Sequence, residues 1–228
     1  MNVMIFGATG MVGQGVLREC LLDPRVTRVL AVGRSATGQQ HAKLRDLVSH
    51  DLYDLSAIEA ELAGYDACFF ALGTSALGMT EQAYSRVSYD LTLAVARTLL
   101  RVSTRMTFIY VSGQGTDSTE HGRTMWARVK GRTENSLLTL GFKAAYMFRP
   151  GLIVAVHGIK SRTTLYRVLY TIMTPVVPLI QRLFPNAVTT TERIGRAMLA
   201  VASNGYGKRV LDPPDINLLA ASSALTER

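Results

Sequence analysis

Residues 3–13 read Val-Met-Ile-Phe-Gly-Ala-Thr-Gly-Met-Val-Gly, and few arrangements of a chain accommodate them. Four apolar residues without alternation suit a central parallel strand covered on both faces. Gly7, Gly10 and Gly13 then recur at every third residue and lead into an amphipathic stretch. That stretch, Met11 to Leu22, carries Val12, Val16, Leu17 and Leu21 on one face and stops at Asp23-Pro24, which predicts a helix. In such a strand–turn–helix Gly7 permits the tight turn, Gly10 lets a pyrophosphate approach the backbone, and Gly13 lets the helix pack closely on the strand. The helix N-terminus offers unpaired N–H groups to phosphate. The spacing is G-x-x-G-x-x-G rather than G-x-G-x-x-G. The expected fold is α/β: a Rossmann-type, doubly wound, mostly parallel sheet with helices on both faces.

The rest of the chain repeats the alternation. Strands are predicted at Val26–Val32, Leu47–Leu52, Asp66–Leu72, Met106–Ser112, Lys143–Phe148 and Lys208–Leu211. Between them, helices are predicted at Ser56–Leu62, at Glu81 to about Arg101 with Thr80 as N-cap, and at Arg123–Leu140. A Thr-x-x-Glu capping box at Thr189–Glu192 opens a helix to Ala202. Residues 36–45 read as irregular or weakly helical, and the tail from Ala220 as frayed. On the helix at 123–140, Trp126, Lys130 and Glu134 recur at i, i+4, i+8 and share a face.

Strand ends are where ligands bind in open parallel sheets. The second strand runs into Gly33-Arg34-Ser35, where a dinucleotide fold reads the adenosine ribose. An acid there would accept from a 2′-hydroxyl, whereas Arg34 can pair with a 2′-phosphate, which favours NADP(H) over NAD(H). The plainer reading of Arg34 is an exposed loop arginine.

A chain of 228 residues suits one domain with a full core, and residues 1–228 are read as a single unit. Its net charge of +8 is concentrated in the segment 101–170. A positive field there favours an anionic ligand or is a solvated basic surface, and neither requires nucleic acid. Cys20 and Cys68 read as small buried hydrophobes of a reduced protein. With no signal peptide ahead of the first strand, a cytoplasmic location is expected. Segment 152–188 is expected to form a helical substrate-side lid. Its apolar part, interrupted by Pro175 and Pro178, is read as lid or core, with membrane-surface contact through 163–184 as the alternative.

Together these residues resemble the short-chain dehydrogenase/reductase superfamily in its atypical, epimerase/dehydratase-like branch. The resemblance is carried by Gly7-Ala8-Thr9-Gly10-Met11-Val12-Gly13, Arg34, Ala71-Leu72-Gly73, Val111-Ser112-Gly113, Lys130 and Arg149-Pro150-Gly151. It implies an NAD(P) site lined by Gly7, Thr9, Gly10, Met11, Val12, Gly13, Arg34, Ser35, Asp51, Leu52, Ala71, Leu72, Gly73, Lys130, Pro150 and Gly151. It also implies that Ser112 orients a substrate carbonyl and that a Tyr-x-x-x-Lys pair performs the proton chemistry. Lys130 matches, but the tyrosine position holds Trp126, so the candidate catalytic residues are Ser112, Lys130 and Trp126. An indole N–H donates a hydrogen bond but does not ionise near neutral pH. Tyr110, His121 and His157 are the substitutes within reach, each with a plainer reading as a core tyrosine or surface histidine. No metal-ligand spacing is present.

Two functions stay open. One is an NADP(H)-dependent oxidoreductase or epimerase-like enzyme acting on a small molecule. The other is a non-catalytic NADPH sensor acting through a protein partner. The resemblance further implies a homodimer through the helices at 81–101 and 123–140.

Overall fold

The computed structural model describes residues 1–159 and 187–225. Strand β1 (Asn2–Phe6) leads through the glycine turn into α1 (Met11–Leu22), followed by β2 (Arg28–Gly33) and β3 (Leu44–Val48). A 3-10 helix (Ser56–Leu62) precedes β4 (Ala67–Phe70). Helices α2 (Glu81–Ser85) and α3 (Leu91–Val102) are joined by a π-helical stretch, Arg86–Asp90. Then come β5 (Thr107–Val111), α4 (Met125–Thr139), β6 (Ala144–Phe148) and β7 (Leu152–Val154). The chain ends on β8 (Val188–Thr190), α5 (Thr191–Asn204), β9 (Val210–Leu211) and α6 (Pro213–Leu225).

Seven strands form one parallel sheet in the order β3-β2-β1-β4-β5-β6-β9. Successive side chains of a strand point to opposite faces, and β1 shows both faces covered. Val3 and Ile5 pack with Val16, Leu17, Ile194 and Met198 of α1 and α5. Met4 and Phe6 pack with Val95, Leu99 and Leu137 of α3 and α4. On that second face Phe6, Phe70 and Phe108 stack across three adjacent strands, with ring centroids 5.7 and 5.8 Å apart, each pair adding about 0.5–1.5 kcal/mol to the burial itself. Helices α1 and α5 meet through glycine: a methyl group on Gly15 would lie 2.5 Å from the Thr191 Cβ. Order reverses at β1, so the crevice between the carboxyl ends of β1 and β4 is the topological switch point.

Several boundaries differ from the sequence reading. The third strand lies at Leu44–Val48, because its register is set by pairing with β2 from Val29↔Leu44 onward. The apolar end at 52 belongs to the following turn, where the Asp51 carboxylate accepts from the Tyr53 N–H at 2.7 Å. The helix expected at 189 starts one residue later, with Thr190 accepting from Arg193 N–H. Thr189 is instead the centre of β8, paired with Ile153 of β7. Segment 152–188 therefore opens and closes on strands rather than helices, and its remaining part, 160–186, with the membrane-contact expectation at 163–184, lies outside the described residues. The tail is helical to Leu225, because Ile216 and Ala220 are buried in the core. Cys20 and Cys68 are buried as expected, and desolvation raises both thiols above their ordinary range. Among the described residues no helix is long and apolar enough to cross a membrane.

Candidate cofactor site

The site begins at the glycine turn. Gly7 has φ +85°, a conformation that L side chains rarely adopt, and a methyl group there would lie 2.8 Å from the backbone of Ala71 and Leu72. At Gly13 a methyl group would overlap the Gly7 carbonyl, so this residue fixes how closely α1 sits on β1. At Gly10 a methyl group would meet the Gly7 oxygen at 3.3 Å, a tight contact that a shift of a few tenths of an ångström relieves. The helix starts with Gly10 as N-cap, without a side-chain cap or an acidic residue in its first turn. Its leading N–H groups are thus presented to the crevice, where an anion is stabilised.

A cavity of about 780 Å³ runs along the carboxyl ends of the strands, a volume suited to a cofactor-sized ligand. It gathers Gly7, Thr9, Gly10, Met11, Val12 and Arg34 from the first half with Ala71, Leu72 and Gly73 from the end of β4. From the second half come Ser112, Trp126, Lys130, Pro150 and Gly151. Ser35 and Leu52 line a smaller cavity of about 90 Å³ beside it, together with Arg34 and Thr37. Two expected residues are placed elsewhere. Asp51 lines neither cavity because its carboxylate is taken by the Tyr53 turn. Gly13 is buried beneath the turn and acts through packing alone. Thr74, Gln114, Leu152 and Ile153 also line the main cavity; loop position alone did not single them out.

The chemistry end is built by β5, α4 and β6. Ser112 Oγ donates to the Glu134 carboxylate or to the Phe148 carbonyl at 3.1 Å. One hydroxyl carries one proton, and here it is directed into the wall. The role expected for Ser112, donating to a substrate carbonyl, is not what this geometry offers. Lys130 Nζ donates to the Ser112 carbonyl. Burial of the ammonium lowers its pKa from 10.5 to about 8, while the Glu134 charge opposes that shift.

Trp126 is half-buried, one helical turn before Lys130, and its indole passes under the loop after β5: a methyl group on Gly115 would lie 3.4 Å from the ring. That loop is laid on α4 by a close approach of Gly131 to the Asp117 carbonyl and by Asn135 Nδ2 donating to Ser118 O at 3.0 Å. The substitutes for the missing phenol are engaged elsewhere. Tyr110 is buried in the core and its phenol is raised far above its ordinary range by desolvation. His157 pairs with Glu192 at 2.6 Å, and His121 is exposed in the Asp117 turn. Glu134 and Arg149 both stand out in the sequence, Glu134 on the helix face of Trp126 and Lys130 and Arg149 in the Arg149-Pro150-Gly151 run, but no spacing shows that they pair.

Residues 3–121 match the model of the NAD dependent epimerase/dehydratase family. The chain belongs to that family. Its parallel sheet is an NAD(P)-binding Rossmann fold, and solved structures agree on the fold. An oxidoreductase of the short chain dehydrogenase/reductase family from Burkholderia thailandensis superposes with TM-score 0.68 at 18% identity, covering 100% of this chain and 97% of that one. The Bordetella bronchiseptica enzyme WbmF in complex with NAD+ gives TM-score 0.64 at 17% identity, over 98% and 78%. Among curated proteins, the chain is 32% identical over 159 residues to the protein fmp52, mitochondrial, of Emericella nidulans, covering 67% of this chain and 66% of that protein. The same-named protein of Aspergillus fumigatus is 31% identical over the same shares. The chain thus spans just under two thirds of the length of these relatives. Their names place them in mitochondria, which overturns the cytoplasmic location expected from the sequence.

Proposed function

We propose that this chain binds NADP(H) and acts as an oxidoreductase or epimerase-like enzyme whose proton-handling group is Lys130. The cofactor choice rests on Arg34. It stands at the end of β2 between the two cavities, without a carboxylate partner among the described residues, and Ser35 and Thr37 line the smaller cavity beside it. A guanidinium with the Ser35 hydroxyl is a donor set for a 2′-phosphate, while the Thr37 hydroxyl beside them donates to Asp46 at 3.0 Å. The pyrophosphate is assigned to the Gly10–Val12 turn, and Gly73, with open space where a Cβ would stand, leaves the backbone bare where the rest of the cofactor passes.

When bound, the nicotinamide supplies or takes up hydride. The residues facing it have divided tasks. The Trp126 indole N–H, with no hydrogen-bond partner among the described residues, can donate to a substrate oxygen but cannot release its proton. Lys130, with a pKa near 8, holds a proton at Nζ that can leave near neutral pH. This reading expects NADPH oxidation by a carbonyl compound, lost in Lys130→Met while NADPH binding, read as quenching of Trp126 fluorescence, is weakened but retained. Binding without turnover across a broad carbonyl panel would remove the enzyme reading.

That outcome would favour the second reading, a non-catalytic NADPH sensor acting through a protein partner. Its support is specific: tryptophan at the phenol position, and the Ser112 proton committed to Glu134.

A further inference from the structure

Glu134 lies outside the cavity, yet it holds the cavity's chemistry end together. It is fully buried on α4, two turns beyond Trp126 and one beyond Lys130. Its carboxylate accepts from Ser112 Oγ and from Arg149, whose Nε lies 3.1 Å from each oxygen and whose Nη2 also pairs with it. The same Arg149 Nη2 reaches Ser118 Oγ at 2.5 Å. One carboxylate thereby ties α4 to the ends of β5 and β6 and to the loop over Trp126.

Stability alone does not account for this. Removing two charges from water costs several kcal/mol per ion, and well-packed apolar residues often replace a buried pair without loss. The pair's carboxylate holds the Ser112 hydroxyl, and Lys130, one turn earlier on α4, holds the carbonyl of the same residue. Arg149 immediately precedes Pro150 and Gly151 of the cavity wall.

We propose that Glu134 is a positioning residue for this site: it turns the Ser112 hydroxyl away from the cavity and keeps Lys130 as the protonated cation that the cavity presents. This deepens the NADP(H) reading and rests on it only for the binding readout. The charges around Lys130 can be named from each side. On α4 itself Glu134 is the carboxylate acting on the amine. From β6 comes Arg149, on which Asp117 of the β5–α4 loop and Asp212 before α6 also act. From the helix packed on α4, Glu81 is taken by Arg128, and Arg132 lies over Tyr89. Glu134 is thus the group whose removal should be felt at Nζ.

The test uses the full chain with its lysines 13C-methylated; there are five, and Lys130→Met identifies the resonance of interest. Titrated without cofactor, the wild-type Lys130 signal should turn over near 8. In Glu134→Gln it should turn over lower by about one unit or more, the scale of losing an opposite charge within a few ångströms. NADPH affinity, read through Trp126 fluorescence between about pH 6 and 9, should fall at correspondingly lower pH in the variant. An unmoved Lys130 midpoint in a folded variant overturns the proposal, as does an affinity lowered by one factor at every pH, which is the mark of a merely structural role. If Glu134→Gln does not fold with Arg149 left unpaired, Glu134→Gln/Arg149→Gln is titrated against Arg149→Gln, two chains that differ only in the carboxylate, and the former is expected to have the lower midpoint. Failure to bind NADPH at all would refute the cofactor reading and leave the lysine titration to decide the role of Glu134.

Discussion

The two halves of the crevice are built on different physics. Around β1 and α1 the polar groups aimed at a ligand are backbone N–H groups of a helix start, delivered by a local run with Gly7 at φ +85°, and Arg34 at the end of β2 is the side chain added to them. Around β5, α4 and β6 they are side chains, and apart from the Trp126 indole they are committed to residues far along the chain: Lys130 to Ser112, Ser112 to Glu134, Glu134 to Arg149. A backbone site tolerates drift in side chains as long as its glycines stay. A side-chain site is a network, in which replacing one phenol by Trp126 changes what the remaining groups can do. On the function proposed above, the backbone half keeps cofactor binding while the side-chain half reassigns the proton chemistry.

The contrast breaks if the first half does not depend on its glycines. Gly13→Val should have the largest effect of any single change in the crevice. A Cβ there overlaps the Gly7 carbonyl and lies 2.6 Å from its carbon, backbone that cannot yield without moving α1 off β1. Loss of the cooperative thermal transition, or of all NADPH binding, is expected. Gly10→Ala is the control: with 3.3 Å to the nearest atom the fold should be retained and cofactor affinity lowered.

In the second half the largest effect should come from Glu134→Ala. An uncompensated Arg149 guanidinium would cost about 3–5 kcal/mol of stability, and the pairwise Glu134→Gln/Arg149→Gln change should cost less than the single one. Urea denaturation midpoints of the three chains check the order. If the single and double variants are equally unstable, the pair acts through packing and the network description fails.

Trp126→Tyr sharpens the comparison at the chemistry itself. Restoring an ionisable phenol one turn before Lys130 should raise carbonyl reduction by about 10²-fold or more, the usual contribution of a positioned acid. No gain in turnover would mean that Ser112, held by Glu134, is as much a departure as the tryptophan. Back in the first half, Arg34→Ala should weaken NADPH by about 10- to 100-fold, the scale of a charge-assisted hydrogen bond, and leave NADH nearly unchanged. Equal losses for both would remove the 2′-phosphate contact.

The same division decided what could be read in advance. The glycine turn, the strand that feeds it and α1 were legible to the residue because every constraint on them is local. The α4 face of Trp126, Lys130 and Glu134 was legible as a periodicity, but Glu134's partners, 22 and 15 residues away, are not encoded in any spacing. The same reason hid β7 and β8, whose pairing joins Ile153 to Thr189, and so moved the helix cap from Thr189 to Thr190. Asp51 was misplaced with its strand, since an edge strand takes its register from its neighbour rather than from its own apolar residues. The sequence reads the tail as frayed because burial of Ala220 against α5 is a tertiary fact.

Lys130 joins the two halves. Its folded-state pKa, about 8, lies below the ordinary 10.5 because the ammonium is desolvated. The folded protein therefore binds fewer protons than the unfolded chain between these values. Its stability should rise with pH across that window, and the penalty is present in full below about 8. Tyrosines and other lysines titrate in the same range, so the informative quantity is the difference between wild type and Lys130→Met in thermal midpoint. Lys130→Met should be the more stable chain at pH 7, with the gap closing toward pH 10. Phosphates brought to the glycine turn would stabilise the ammonium, so saturating NADPH should flatten the dependence. A gap that does not change with pH would mean that Lys130 already shares its charge with solvent, and that the second half is less enclosed than its hydrogen bonds describe.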